Sequence, residues 1–160
     1  MNTDTGPLDL NDPAIDPMEV ARNAAAAIAK HSGAERHDVA LVIGSGWGEA
    51  ADLIGETLAE IDNTDVPGFA KAAVAGHSGT MRSVAIGDTG KRALVYGTRT
   101  HLYDGRGVRA VVHGVRTAAA AGCSTIVLTN GCGGLREEWP PGNPVLIRDH
   151  INLTAVSPLE

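Results

Sequence analysis

The chain has 160 residues, of which 43% are hydrophobic and 20% are charged, and a formal net charge of −6. This composition suits a globular domain with one core, and the acidic balance argues against a general role on nucleic acid or at a membrane surface. With two cysteines, no signal peptide and no apolar run near the roughly 20 residues of a membrane span, we expect a reduced, cytoplasmic protein.

The N-terminal part divides into a leader and a helix. Residues 1–15 are rich in Asp, Asn and Pro and predict a mobile leader, so that the domain occupies residues 16–160. Asp16 is a good N-cap, and Pro17 suits the first helical position. We therefore expect a helix from Pro17 that ends at Gly33.

Strand-like runs and glycine turns alternate along the rest of the chain. Short, continuously apolar runs at 39–43 and 124–129 predict strands that are buried on both faces. The runs 81–86 and 92–96 are joined by a glycine turn and predict a hairpin. The other predicted elements are a glycine turn that opens a helix over 44–54, a strand over 57–61, a turn over 66–69, a flexible loop over 75–79 and a short strand over 145–147.

Residues 108–121 predict a helix that ends at Gly122. Its apolar stripe is expected to consist of Val108, Val111, Val112, Val115 and Ala119. His113, on the same helix, is interpreted as a structural or surface side chain. His31 and His37 are interpreted as solvated.

Alternating strands and helices predict an α/β fold with a mixed, partly parallel central sheet flanked by helices. In such sheets ligands bind beyond the carboxyl ends of the strands. Three loops are expected there, at residues 44–48, 98–105 and 130–134. Their convergence predicts a binding site.

The stretch after the 92–96 run carries the strongest chemistry. If the backbone stays extended, Arg99, His101 and Tyr103 share one face, because side chains alternate with period two. A guanidinium, an imidazole and a phenol suit a small oxyanion beside a hydroxylated ligand. A strand end with a solvated polar face remains the alternative.

The glycine loop at residues 44–48 has two interpretations as well. It lacks the third glycine of a dinucleotide fingerprint, because Glu49 stands there. What remains is either an anion site with Ser45 and backbone donors at a helix start, or a plain turn. His77, between glycines, is either a surface histidine or a group on a mobile flap. No residue spacing predicts a metal site, and Cys132 lacks an adjacent base that would make it a nucleophile.

Taken in order, the motifs resemble the trimeric, low-molecular-mass class of purine nucleoside phosphorylases, over roughly residues 17–160. The motifs are Val42-Ile43-Gly44-Ser45-Gly46-Trp47, Gly76-His77-Ser78-Gly79, Arg99-Thr100-His101-Leu102-Tyr103-Asp104-Gly105, Val127-Leu128-Thr129-Asn130-Gly131-Cys132-Gly133-Gly134-Leu135 and Asp149-His150-Ile151-Asn152-Leu153-Thr154. The resemblance implies a nucleoside phosphorylase-like fold and phosphorolysis of purine (deoxy)ribonucleosides to free base and (deoxy)ribose 1-phosphate. It also implies inorganic phosphate as co-substrate without a further cofactor, a cytoplasmic homotrimer, and a role in purine salvage.

The resemblance also implies roles for single residues. Ser45, Arg99 and His101 are expected to hold phosphate as the catalytic set, with His77 and the backbone at Gly131 beside them. Tyr103 is expected to contact the ribose, and the loop Asn130-Gly131-Cys132 to lie under phosphate, sugar and base.

The sequence departs from the family pattern in three ways. Thr98 stands where the family often has glycine, and Gly131-Cys132 replaces a common Ala-Ala pair. The family's purine-recognising Glu and Asn belong to a later half that has no match here. We therefore expect an N-terminal part truncated on its C-terminal side, inactive or weakly active alone. The alternatives are a 5′-methylthioadenosine phosphorylase and a non-catalytic phosphate- or nucleoside-binding fragment.

Overall fold

A mixed sheet of five strands forms the centre of the fold in the structure, a computed structural model that describes residues 8–44, 46–70 and 79–159. The strands lie in the order β2-β3-β4-β1-β5. They are β1 (Val39–Val42), β2 (Thr57–Asp62), β3 (Thr80–Ala85), β4 (Arg92–Tyr96) and β5 (Thr125–Leu128). The helices are α1 (Pro17–Ser32), α2 (Gly107–Val111) and α3 (His113–Ala120), and 3₁₀ turns occupy Gly48–Leu53, Asn63–Asp65 and Leu102–Asp104.

Strand β1 lies between two parallel neighbours. Leu41 is paired with Val95 of β4 on one side and with Val127 of β5 on the other. Strands β2, β3 and β4 form an antiparallel meander on the far side of β1. This arrangement confirms the predicted mixed, partly parallel sheet and the predicted hairpin.

Helix α1 begins and ends where its sequence predicts. The carboxylate of Asp16 accepts a hydrogen bond from the backbone nitrogen of Met18 at 2.8 Å, which satisfies one free donor of the first turn. Gly33 ends the helix in the left-handed region, with φ of 65°. Ala24 and Ile28 are fully buried against the sheet and α3, so the Ala-rich sequence lets the two helices approach closely.

The core has two parts, one on each face of the sheet. Alternate residues of β4 supply both, since Leu94 and Tyr96 pack with α1 and α3, whereas Ala93 and Val95 pack with Ala51 of the 3₁₀ turn. The helix predicted after the glycine turn at residues 44–48 is only this 3₁₀ turn, Gly48–Leu53. Strand β4 is thus buried on both faces, as a central strand should be.

The helix predicted over 108–121 is interrupted at Val112, and its buried face differs from the predicted valine stripe. The buried residues are Ala110, His113, Thr117, Ala118 and Ala121, whereas Val115 is 39% exposed. His113 lies on this buried face, where its Nε2 donates to the Pro67 carbonyl at 2.9 Å and its ring packs on Phe69. Ala118 packs in the same cluster as Ala24 and Ile28 of α1, whereas Val108, Val111 and Val112 are only half-buried.

His37 is a second correction. It was expected to be solvated, but it is 1% exposed, and its Nε2 hydrogen-bonds with Ser83 Oγ at 2.9 Å across the sheet. A polar group is tolerated in a core when it is hydrogen-bonded. The pattern of apolar residues gave no sign of this pair, because its two members lie 46 positions apart.

Two predictions at the C-terminal side are wrong. Strand β5 was expected to be buried on both faces, but it is an edge strand whose Val127 and Leu128 are 43% and 59% exposed. Residues 145–147 form no strand, and Leu146 is 98% exposed. Residues 129–159 contain neither helices nor strands.

The N-terminal segment contributes to the core. Leu10 is 2% exposed and packs with Val20 of α1 and Ala110 of α2. The mobility expected for residues 1–15 stays a prediction, and residues 1–7 lie outside the described residues. Within the part of the chain that the structure describes, no helix is both long enough and apolar enough to cross a membrane.

We expect the chain to self-associate through β5 and the substitution Val127→Lys to reduce this association. The opposite edge, β2, exposes the charged residues Glu60 and Asp62, whereas β5 exposes only Thr and aliphatic side chains. Charge on an edge strand opposes pairing with another chain. Sedimentation velocity at increasing protein concentration measures the effect. Leu58→Lys on β2 is the matched control, and equal association of both variants would contradict the expectation.

We expect stability to fall as the pH drops below the ordinary histidine pKa of 6.5. Burial lowers the pKa of His37, and the charge of Arg92 lowers it further, whereas Asp38 opposes the change. Burial also lowers the pKa of His113; the hydrogen bond to Pro67 opposes this, and the charges of Arg116 and Arg106 add to it. Unfolded chains then bind protons that folded chains do not. The contribution of the two histidines to the free energy of unfolding is therefore fully present above pH 6.5. It is lost as the pH falls from 6.5 towards their lower pKa in the folded state, by at most about 1.4 kcal/mol per pH unit for each histidine.

Urea unfolding at about pH 7.5 and about pH 5.5 tests this pH dependence. His113→Gln keeps a donor for the Pro67 carbonyl and should flatten the dependence. His31→Gln, at an exposed position, should leave it unchanged. A variant at His113 with the full pH dependence of the parent chain would show that this histidine takes no part in it.

Candidate functional site

The three loops predicted to converge do meet at one edge of the sheet. Strands β4, β1 and β5 are adjacent and parallel, so their carboxyl ends lie side by side. The chain leaves them at residues 97, 43 and 129 respectively. This topology brings residues 44, 46–48, 98–105 and 130–134 to the same side, as the sequence indicates.

The loops after β1 and β5 are in direct contact. The backbone nitrogen of Gly44 donates to Thr129 Oγ1 at 2.7 Å, and that hydroxyl donates to the Val42 carbonyl at 2.8 Å. The Thr129 nitrogen donates to the same carbonyl at 3.0 Å. A Cβ atom on Gly44 would lie 2.5 Å from the Thr129 carbonyl oxygen and 2.9 Å from the Cα of Asn130. Gly44 is therefore required for close approach, and it fixes Asn130 beside the end of β1.

Arg99 reaches the end of β1 from the other side. Its Nη1 donates to the Ile43 carbonyl at 3.5 Å, and the Ile43 nitrogen donates to the Tyr96 carbonyl at 3.0 Å. The guanidinium is half-buried at this edge. The long bond to Ile43 uses one of its five N–H donors, and an arginine in such a place suits an anion with several oxygens.

His101 and Tyr103 come together, although the backbone that carries them is not a continued strand. The chain leaves β4 at Tyr96 and enters the 3₁₀ turn Leu102–Asp104, so strict alternation through residue 103 is wrong. The two rings nevertheless stack, with centroids 4.6 Å apart and planes 11° from parallel. Tyr103 is 83% exposed, so its hydroxyl is available to a ligand.

Asp104 organises this turn and was missed as a site residue. One carboxylate oxygen, Oδ2, accepts from the His101 backbone nitrogen at 2.7 Å and lies 3.7 Å from His101 Nδ1. The signal in the sequence was an Asp three residues after His101 and directly before Gly105, which is a capping pattern.

The remaining candidates are placed less closely. Asn130, Gly131 and Cys132 are all exposed in the loop that follows Thr129. Ser45 and His77, both predicted to contact phosphate, lie outside the described residues. Residues 8–44, 46–70 and 79–159 contain no group of three or more His, Cys, Asp or Glu side chains that could hold a metal ion.

We expect Gly44→Ala to destabilise the chain by about 1–3 kcal/mol, the usual cost of overpacking. The added methyl group would meet backbone atoms of Thr129 and Asn130, which cannot rotate away as a side chain can. Gly48→Ala is the control, because a Cβ there has open space and needs no left-handed backbone. Urea unfolding compares the two variants, and equal stability would show that the contact between the loops is looser than described.

The comparisons with known proteins agree on one family. The family model described as the Phosphorylase superfamily matches residues 38–160. A purine nucleoside phosphorylase from Cellulomonas sp is 60% identical over 159 residues, which is 98% of this chain and 56% of that protein. One from Mycobacterium tuberculosis is 49% identical over 92% of this chain and 54% of its own length. The chain thus spans about half the length of these relatives.

A solved structure has the same fold. Isoform 2 of purine nucleoside phosphorylase from Schistosoma mansoni, in complex with cytosine and ribose-1-phosphate, superposes with a TM-score of 0.65 and 27% sequence identity. The match covers 83% of this chain and 43% of that one. The shared architecture includes most of the described sheet and helices.

Proposed function

The chain belongs to the Phosphorylase superfamily, and on that basis we propose that it forms the phosphate- and sugar-binding part of a purine nucleoside phosphorylase. The observation that carries the proposal is the half-buried Arg99 guanidinium at the sheet edge, where the loops after β1 and β5 are joined through Gly44 and Thr129. This edge places a permanent cation beside two loops that are held together. The relatives' names supply the substrate class.

In the proposed reaction, phosphate replaces the purine on the sugar. The bond between the anomeric carbon and the purine nitrogen breaks, and its electron pair leaves with the base, which takes up a proton. A phosphate oxygen forms the new bond to the anomeric carbon and gives pentose 1-phosphate. The sugar carries positive charge as the bond breaks, so a phosphate dianion held beside it stabilises the transition state and then attacks it.

Each side chain has a binding role in this scheme. Arg99 and His101 hold the phosphate as donors, with Ser45 and His77 beside them, and no covalent intermediate with the protein forms. Tyr103 contacts a ribose hydroxyl, and the stacked ring of His101 supports its position. Asn130, Gly131 and Cys132 line the floor beneath the phosphate, sugar and base.

The same proposal extends to the complete protein. We assign the recognition of the purine to residues outside these 160, and we propose a homotrimer in the cytoplasm that serves purine salvage. The length of the relatives supports the first assignment, since the chain covers 56% of the Cellulomonas protein. We therefore propose that this chain by itself turns over little or no nucleoside.

We expect Arg99→Ala to weaken the binding of inorganic phosphate at least about tenfold, because it removes a charge-assisted donor from the anion. Phosphorus-31 NMR titration of this chain measures the affinity. Arg22→Ala is the matched control, since Arg22 is an exposed arginine on α1 paired only weakly with Asp16. Equal phosphate affinity in the parent chain and both variants would mean that Arg99 does not hold the anion.

An assay of hypoxanthine release from inosine completes this test. With phosphate present, the Cellulomonas relative should turn over inosine, and this chain should do so far more slowly or not at all. Turnover by this chain at a rate similar to that of the relative would show that the chain already contains the purine site. It would overturn the assignment of purine recognition to residues outside these 160.

A further inference from the structure

A buried amide behind the candidate site is not used by any role assigned so far. Asn63 is the first residue of the 3₁₀ turn after β2 and is only 4% exposed. Its backbone nitrogen donates to the Gly79 carbonyl at 2.9 Å, and its carbonyl accepts from the Val66 nitrogen at 3.1 Å. The backbone on which this side chain stands is therefore fixed from two directions.

The side chain of Asn63 reaches the loop that carries Arg99. Its Nδ2 donates to the hydroxyl of Thr98 at 3.1 Å. Strands β2 and β4 are not neighbours, because β3 lies between them. The amide thus bridges the start of β3 and ties the end of β2 to the residue directly before Arg99.

This bond restrains the direction in which Arg99 leaves the backbone. Gly97, the residue before Thr98, is also fixed, because its backbone nitrogen donates to the Thr80 carbonyl at 3.2 Å. Thr98 is β-branched and stiff at χ1, so fixing its hydroxyl also fixes its backbone. At the other end, and among the described residues, the guanidinium makes a long 3.5 Å bond to the Ile43 carbonyl. The shorter Asn63–Thr98 bond is consequently the better-defined restraint on the loop.

We propose that Asn63 is a positioning residue for anion binding, acting through the Thr98 hydroxyl on Arg99. The inference rests on the proposed function in one respect, that the anion held by Arg99 is phosphate. Small displacements of a positioned group cost much of its effect, because a misplaced donor no longer meets the anion's oxygens. A purely structural bond would stabilise the end of the sheet but leave Arg99 where it is.

The main test replaces the Thr98 hydroxyl, which leaves the buried amide of Asn63 in place. Thr98→Val keeps the shape of the side chain and loses the hydroxyl, whereas Thr98→Ser keeps the hydroxyl. Thr89→Val, in the hairpin turn between β3 and β4, removes a hydroxyl that also makes a hydrogen bond, to the Ile86 carbonyl, and is the matched control. Nitrogen-15 NMR follows the Arg99 Nε–H signal and its exchange with solvent, and phosphorus-31 titration follows inorganic phosphate.

We expect Thr98→Val to shift the Arg99 Nε–H signal and to speed its exchange with solvent. Phosphate binding should weaken about fivefold, which corresponds to the loss of one ordinary hydrogen bond. Thr98→Ser should restore both, and Thr89→Val should change neither. Asn63→Ala should reproduce the Thr98→Val signal, and the double variant should add nothing further. If Asn63→Ala does not fold, the Thr98 variants decide the question alone.

Two results would overturn the inference. One is an Arg99 signal that does not move in Thr98→Val, and the other is a moved signal with unchanged phosphate affinity. The failure of the proposed function looks different, because then the parent chain itself binds no phosphate. The Arg99 signal is recorded without phosphate, so it still decides in that case whether Asn63 positions the arginine.

Discussion

The parallel pairing of β1 with β4 on one side and β5 on the other is the constraint on which the candidate site depends. Parallel neighbours end at the same edge, so three loops distant in sequence meet there. The meeting requires the absence of a side chain at Gly44, because the Thr129 carbonyl occupies the place of its Cβ. Gly44 thus allows the loops after β1 and β5 to touch. Arg99, from the loop after β4, contacts the end of β1 at the Ile43 carbonyl.

The two edges of the sheet differ in how well they are packed and protected from pairing with another chain. The meander of β2, β3 and β4 is closed by charged residues on its outer edge, by the Arg82–Asp52 ion pair at 2.7 Å and by the buried His37–Ser83 bond. The side of β5 has none of these, and residues 129–159 are largely exposed. The site therefore lies on the border between a packed half and an open half. Under the function proposed above, Arg99 and His101 would bind phosphate from the packed half, and the loop at Asn130 would contribute from the open half.

Buried polar groups tie distant parts of this small fold together. His113 at the start of α3 bonds to the Pro67 carbonyl, and Asn63 ties the end of β2 to the loop after β4. In both cases the hydrogen bond satisfies a buried donor that would be costly to leave unpaired. Such bonds join residues 46 and 35 positions apart.

The sequence by itself determined the local elements and the family. Asp16, Pro17 and Gly33 delimit α1, and the apolar runs locate the five strands, although the run at 145–147 forms none. The ordered motifs around Gly44, Arg99 and Asn130 identify the phosphorylase family. Each of these signals depends on neighbouring residues alone. Only the tertiary structure decided which face of α3 is buried, that β5 is an edge, that residue 103 lies in a turn, and that Asn63 reaches Thr98. These features depend on partners distant in the chain, and no local pattern records where a partner lies or whether one is present.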